Sequence, residues 1–153
     1  MRSVAFCIPN EYSHVALVTR CVLTLASHVT GEDSGVFETA VGEALNNIIE
    51  HSYGADTDEQ IRVELSFDAE SLELTIEDGG SGMSPAILDG APDSFPPPTL
   101  DDFQQLPEGG FGLTLIKLAC DEVSYVQEPG CNRLTMIRAK RPEHAQSAAQ
   151  ANA

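Results

Sequence analysis

Three side chains that could do chemistry recur at four-residue intervals near the middle of the chain: Glu43, Asn47 and His51. On a helix this spacing stacks them along one stripe over two turns. A carboxylate in such a stripe can accept a proton, and an amide oxygen can bind a hard divalent cation. A solvated face is the alternative, although such faces usually mix charge signs and no basic residue occurs between Arg20 and Arg62. The stripe alone leaves both interpretations open.

Two glycine-rich segments follow, EDGGSGM at 77–83 and EGGFGL at 108–113. Asp78 ends an alternating, buried strand, where a carboxylate is costly unless a donor such as the amino group of a base pairs with it. Gly80 and Gly82 would let the backbone approach a flat ligand closely. The second segment opens a predicted helix, where unpaired backbone N–H groups form a ready anion site.

The charge distribution limits how an anion could be held there. No basic residue occurs between Arg62 and Lys117, so a phosphate would need backbone amides and a divalent ion, with Asn47 as the obvious ligand. The chain has no GxxxxGK[ST] motif, and a long loop rather than a helix follows Asp78, which argues against a dinucleotide-binding crossover. Each glycine cluster alone is typical of a turn, whereas their order at the ends of regular elements is specific.

Hydrophobic periodicity predicts the elements that must position these residues. The predicted strands are 3–8, 61–67, 72–76, 121–126 and 132–139, and the predicted helices are 11–29, 36–53 and 112–120. The order β-α-α-β-β-lid-α-β-β predicts an α/β two-layer sandwich, a mainly antiparallel sheet with helices on one face. Residues 1–141 are expected to form a single domain with a lid at about 83–109, because 79–112 hold seven of the twelve glycines and six of the nine prolines. The tail 142–153 is expected to be disordered.

Composition narrows the partners. The 153 residues are 42% hydrophobic, as in a globular protein, and 24 acidic against eight basic side chains give a net charge of −16. This balance argues against nucleic acid and anionic membranes and favours a protein partner with a basic surface. Four scattered cysteines, Cys7, Cys21, Cys120 and Cys131, form no CxxC pair and are expected to be buried free thiols in a reducing cytoplasm. No signal peptide or membrane span is predicted.

The three chemistry-bearing segments resemble the N, G1 and G2 boxes of the GHKL ATPases, which share the Bergerat nucleotide-binding fold. The matching patterns are Glu43-x-x-x-Asn47, Asp78-x-Gly80-x-Gly82 and Gly110-x-Gly112-Leu113. Within that superfamily the chain is most similar to bacterial anti-sigma-factor serine kinases of the RsbW type, through VGEALNNIIEHSY and EGGFGLTLIKLACDEVSY. The likeness covers roughly residues 3–140. A sensor histidine kinase would typically carry a His-Gly-Gly segment where this chain has Asp121-Glu122-Val123.

The resemblance implies a role for each matching residue. Glu43 matches the general base that deprotonates a substrate serine, and Asn47 matches the ligand of Mg²⁺. Asp78 matches the carboxylate that receives the adenine amino group of ATP, with Gly80 and Gly82 beside the base.

Four further matches concern the phosphates and the base. The phosphate-cradling turn under the lid is matched by Gly110, Gly112 and Leu113. Thr135 matches a threonine that helps to hold the adenine.

The implied function is that of a cytoplasmic anti-sigma factor and serine kinase in a partner-switching system. Such a protein sequesters a sigma factor and phosphorylates a serine on a STAS-domain anti-anti-sigma protein, usually as a homodimer. One alternative is a non-catalytic binding module of the same fold, which the absence of basic residues from the lid favours. A histidine-kinase catalytic domain is another. Arg20 lies near where relatives use an arginine toward partners, but a surface charge on the first helix explains it equally well.

Overall fold

The computed structural model describes residues 2–30, 35–53, 59–68, 70–93 and 111–139. The strands within these ranges are β1 (Arg2–Pro9), β2 (Gln60–Phe67), β3 (Ser71–Asp78), β4 (Glu122–Glu128) and β5 (Cys131–Ala139). The helices are α1 (Val15–Thr30), α2 (Gly35–Asn47), α3 (Pro85–Gly90) and α4 (Phe111–Ala119). A 3₁₀ turn, Tyr12–His14, precedes α1, and a π-helical segment, Ile48–Tyr53, continues α2.

The strands form one antiparallel sheet in the order β1-β2-β3-β5-β4. Strand β3 is central, and its last residue, Asp78, pairs in register with Asn132 of β5. Alternate residues of β2 and β3 are buried because they face the helical layer. The two-layer α/β fold with an antiparallel sheet is therefore confirmed.

The core lies between the sheet and the helices. Helix α2 packs against both α1 and α4, and its apolar stripe is fully buried. The sheet supplies the opposite wall of this core through a second apolar set. The buried residues are Phe37, Ala40, Val41, Ala44 and Leu45 of α2, and Ile61, Val63, Leu65, Leu72, Leu74, Ile76, Leu134 and Met136 of the sheet. This packing fixes the polar side of α2 over the ends of β3 and β5.

The other face of the sheet is polar. Glu77 Oε1 accepts a hydrogen bond from Arg133 Nε at 2.8 Å, and Glu77 Oε2 lies 3.6 Å from Arg62 Nε. These side chains remain partly exposed, so the pairs order the surface more than they stabilise the fold. The chemistry-bearing residues therefore have to be sought on the helical side of the sheet.

Two local features differ from the sequence prediction. The predicted lid contains a short helix, α3, which begins with Pro85 at a position that suits proline's fixed φ. The predicted central helix, 36–53, is α-helical only to Asn47 and π-helical from Ile48 onward. The rest of the lid, 94–110, and the tail, 142–153, lie outside the described residues.

The described helices include none that is both long and apolar enough to cross a membrane. The cysteine prediction was partly wrong. Cys7 and Cys21 are exposed, whereas Cys120 and Cys131 are half-buried, and all four thiols are free. Cys7 lies on β1, an edge strand, and its side chain is on the polar face of the sheet, away from the helices.

The thiols should therefore react at very different rates. Burial raises the pKa of the Cys120 thiol to about 12, so almost none of it is thiolate at pH 8. We expect iodoacetamide at pH 8 to label Cys7 and Cys21 rapidly and Cys120 only after unfolding in urea. Peptide mass spectrometry over a time course measures the three rates. Labelling of Cys120 in the folded protein as fast as that of Cys21 would contradict this assignment.

Candidate functional site

A cavity of about 440 Å³ opens where the ends of β3 and β5 meet α2, α3 and α4. Its walls are largely apolar, with Ile48, Ile116 and Leu134 among them, and its polar groups include Asn47 and Asp78. The volume and the few polar groups suit a small organic ligand. The residues that line it, all within the described part of the chain, include no lysine or arginine.

Asp78 provides the buried carboxylate of this cavity. It is 6% exposed, and its Oδ1 accepts hydrogen bonds at 2.9 Å from the Gly80 backbone N–H and from Asn132 Nδ2. Asn132 Nδ2 also donates to the Gly80 carbonyl at 3.0 Å. Two donors on one oxygen compensate for the burial of the charge and fix its orientation. Protein groups therefore pair with this buried carboxylate, whereas the sequence suggests the amino group of a base as its donor.

Side chains of β4 hydrogen-bond to the backbone of the turn after Asp78. Tyr125 Oη accepts a hydrogen bond from the Met83 backbone N–H at 3.0 Å, and Gln127 Nε2 donates to the Ser81 carbonyl at 2.7 Å. Burial raises the pKa of the Tyr125 hydroxyl and the nearby Asp78 charge adds to the rise, so this phenol stays protonated at neutral pH. Hydrogen bonds to β4 therefore hold the glycine-rich turn in place at the cavity.

Glu43 and Asn47 meet the start of α4. A Cβ added to Gly112 would lie 2.8 Å from Glu43 Oε2 and 3.6 Å from Asn47 Nδ2. A larger residue at position 112 would therefore require the Glu43 carboxylate to shift. Glu43 is half-buried beside the cavity, while Asn47, Gly112 and Leu113 line it. The first and third chemistry-bearing segments thus converge with the second.

The π-helical segment begins directly after Asn47. Its wider turns place Ile48 and His51 among the cavity-lining residues. The His51 side chain is 67% exposed and lies 3.9 Å from Glu50, so it is an exposed residue at the rim of the cavity.

Thr135 is not brought to the cavity. It pairs with Thr75 and Ser124 on the polar face of the sheet, whereas Asn132, Leu134 and Met136 face the helices. Gly110 lies outside the described residues. Arg20 is exposed on α1, where it lines a separate groove with Val4 and Phe6 of β1.

Sequence reasoning missed Asn132 and Tyr125. Both face the helical side because they keep the two-residue period of Leu134 and Val123 respectively. That alternation was readable in the sequence and would have placed Asn132, rather than Thr135, next to Asp78.

The donor set fits a nucleotide and a divalent ion better than a protein-caged metal. The described residues contain no cluster of three or more His, Cys, Asp or Glu side chains that could hold a metal. Mg²⁺ typically takes one or two protein oxygens and completes its shell with phosphate and water. Asn47, which lines the cavity, has a side-chain oxygen of this kind.

Gly82 is expected to be the least replaceable described glycine of the site. Its φ is +68°, and an added Cβ would overlap Asn132 Oδ1 and would lie 2.6 Å from Tyr125 Oη. Gly82→Ala should lower the free energy of unfolding by about 2–4 kcal/mol, since backbone strain and overpacking add. Urea denaturation followed by circular dichroism measures the change.

Two other glycines serve as controls for that substitution. Gly130 has φ +76° and open space around it, so Gly130→Ala should cost only the strain, about 1–2 kcal/mol. Gly90 has neither feature and should tolerate alanine. Equal losses at Gly82 and Gly130 would mean that the contacts below the turn contribute nothing.

The sequence profile of the family described as "Histidine kinase-like ATPase domain" matches residues 8–138. Among curated proteins, an anti-sigma F factor of Shouchella clausii is 28% identical over 127 residues, which cover 83% of each chain. A serine-protein kinase RsbW of Bacillus velezensis is 29% identical over 126 residues, 80% of this chain and 77% of that one.

A solved structure resembles the fold as well. It contains the RsbU and RsbW domains of a Mycobacterium tuberculosis protein and superposes on 93% of this chain with a TM-score of 0.61 at 14% identity. This chain spans 34% of that longer one.

Proposed function

Since this chain belongs to the histidine kinase-like ATPase domain family, we propose that it is an ATP-dependent serine/threonine protein kinase that acts as an anti-sigma factor. The observation that carries the proposal is that Asn47, Asp78 and Gly112 line one cavity. Glu43 lies beside this cavity, next to Gly112. Relatives named anti-sigma F factor and serine-protein kinase RsbW cover most of the chain and support both halves of the proposal.

The cavity would take the nucleotide with its base at Asp78. The carboxylate is already oriented by Asn132 and by the Gly80 N–H, and it can accept a hydrogen bond from the adenine amino group. The apolar walls, including Ile48 and Leu134, would cover the faces of the base. The phosphates would extend toward the start of α4, where Gly110, Gly112 and Leu113 are proposed to cradle them through backbone N–H groups.

Mg²⁺ would be held by the Asn47 side-chain oxygen together with the phosphates. When bound, it neutralises the charge that develops on the transferred phosphoryl group. Asn47 sits one helical turn after Glu43, so the same helix would position the metal ligand and the base.

Glu43 is proposed to act as the general base. Its carboxylate would take the proton of a substrate serine hydroxyl while the serine oxygen bonds to the γ-phosphorus. The bond to the β-phosphate oxygen breaks, and ADP leaves. Because Glu43 stands beside rather than inside the cavity, its carboxylate remains available to a protein substrate that approaches at Gly112.

Two observations support the proposed partners, namely the acidic net charge of the chain and the names of its relatives. A net charge of −16 favours basic protein surfaces and steers their approach. We propose a sigma factor as the sequestered partner and a STAS-domain anti-anti-sigma protein as the phosphorylated one, with the kinase acting as a cytoplasmic homodimer.

A second candidate is a nucleotide-dependent binding module without catalysis. The described cavity-lining residues include no lysine or arginine, which favours it, since phosphoryl transfer enzymes often place a cation at the γ-phosphate. Glu43 next to the cavity favours the kinase, because a binding module has no need of a base there. A histidine-kinase catalytic domain is the third candidate.

A single-turnover assay separates these functions. The chain is mixed with γ-labelled ATP, Mg²⁺ and candidate STAS-domain proteins, and each candidate with its acceptor serine changed to alanine serves as the control. Acid-stable label on the serine form alone supports the kinase. Binding of ATP without transfer supports the binding module, and acid-labile label supports a histidine kinase.

A further inference from the structure

One wall of the cavity is built from the segment 83–93, which follows the glycine-rich turn and contains α3. Met83, Ser84 and Ile87 of this segment line the cavity. The Ile87 side chain, which is 53% exposed, adds apolar surface to this part of the lining. The wall therefore bears directly on the ligand.

The wall has little packing of its own. Helix α3 has six residues, of which Leu88 is buried and the others are exposed. Helices this short are not stable by themselves in water, because nucleation costs more than a few hydrogen bonds return. Contacts with neighbouring elements must therefore set the position of α3.

The first such contact is at the start of the wall. Tyr125 of β4 lines the cavity with its ring and accepts the Met83 N–H at 3.0 Å with its hydroxyl. The hydroxyl also lies below Gly82, where an added Cβ would meet it at 2.6 Å. Its position thus fixes where the chain leaves the turn.

The second contact is at the other end of the wall. Lys117 of α4 donates from Nζ to the Ala91 carbonyl at 2.7 Å and to Asp93 Oδ1 at 3.2 Å, and it lies 3.5 Å from the Asp89 carbonyl. The Asp89 carbonyl belongs to the last turn of α3 and Ala91 is its C-cap residue, and a cation is favourable at this end of a helix. Lys117 also adjoins Ile116, which lines the cavity.

We infer that Tyr125 and Lys117 are positioning residues of the nucleotide site, which together hold the segment 83–93 against the base. The inference rests on the proposed function, and neither residue touches the reacting groups. Lys117 is the sole basic residue between Arg62 and Arg133 in the sequence. Its ammonium group is hydrogen-bonded to the C-terminal end of α3. A phosphate-binding role for Lys117 is not needed to explain its place.

The test removes one anchor at a time with little change in shape. Tyr125→Phe deletes the acceptor, and Lys117→Met deletes the cation while keeping the stem. Each should weaken ATP–Mg²⁺ binding about five- to tenfold in calorimetry, as expected for the loss of a net hydrogen bond. Lys117→Arg should restore binding, and Tyr12→Phe, a side chain that is 56% exposed, should have no effect.

Two further readouts separate positioning from general damage. Amide hydrogen exchange should accelerate at 83–91 in both variants without nucleotide, and KM for ATP should rise while kcat stays near the wild-type value. Unchanged exchange, unchanged affinity, or a fall in kcat with unchanged KM would overturn the inference. A wild-type chain that binds no ATP would overturn the proposed function itself, whereas wild-type binding with unaffected variants would overturn only the positioning role.

Discussion

Glu43→Gln should abolish most phosphoryl transfer while leaving ATP–Mg²⁺ binding intact. The substitution keeps the size of the side chain beside Gly112 and removes its ability to take a proton. Base catalysis contributes about 10²–10⁴-fold, so the single-turnover rate should fall by that factor. Glu43 does not line the cavity, which is why calorimetry should find the affinity for ATP unchanged.

Glu50→Gln provides the matched control for this variant. Glu50 is on the same helical element, its side chain is 61% exposed, and the same charge is lost. Its transfer rate should match the wild type. Comparable losses in both variants would indicate that net charge near the partner, rather than a base at Glu43, controls the reaction.

Asp78→Asn should have the largest effect on binding. The buried oxygen that accepts from Asn132 and Gly80 can be kept by the amide, but the group facing the base becomes an NH₂ donor. A donor would then meet the adenine amino group, and the lost charge-assisted bond should weaken ATP binding about 10–100-fold. Calorimetry with ATP measures the change.

The same variant also tests the orientation of the base. An NH₂ group at position 78 can donate to a carbonyl oxygen, so GTP should lose less affinity than ATP does, or gain some. Glu122→Gln, which removes an exposed carboxylate of β4, is the control and should bind ATP normally. Normal ATP binding by Asp78→Asn would mean that the base lies elsewhere.

Much of the fold was predictable because its apolar periods are regular. The alternation in β2 and β3 and the stripe of α2 match the buried positions that the structure shows. The convergence of Glu43, Asn47 and Asp78 was predicted only through the combination of motifs, since spacing along a chain does not report distances between elements.

Other features lay beyond the sequence for physical reasons. Helix α3 is too short to give a periodic signal, and its position depends on Tyr125 and Lys117 from distant elements. The change from α to π winding after Asn47 depends on tertiary packing that local propensity does not encode. Thr135 was assigned to the site by resemblance. Because neighbouring residues of a strand point to opposite faces of the sheet, an offset of one residue in that match places the side chain on the wrong face.

The pairing of Asp78 with Asn132 has a consequence for biosynthesis. Asn132 is translated 54 residues after Asp78 and arrives on a strand that must slot between β3 and β4, because β4 pairs with β5. A nascent chain that stops before Cys131 contains the Asp78 carboxylate but lacks the Asn132 amide that orients it. Nucleotide affinity would then report that translation has passed β5, and chains that stop earlier would be left without this stabilising ligand against cellular proteases.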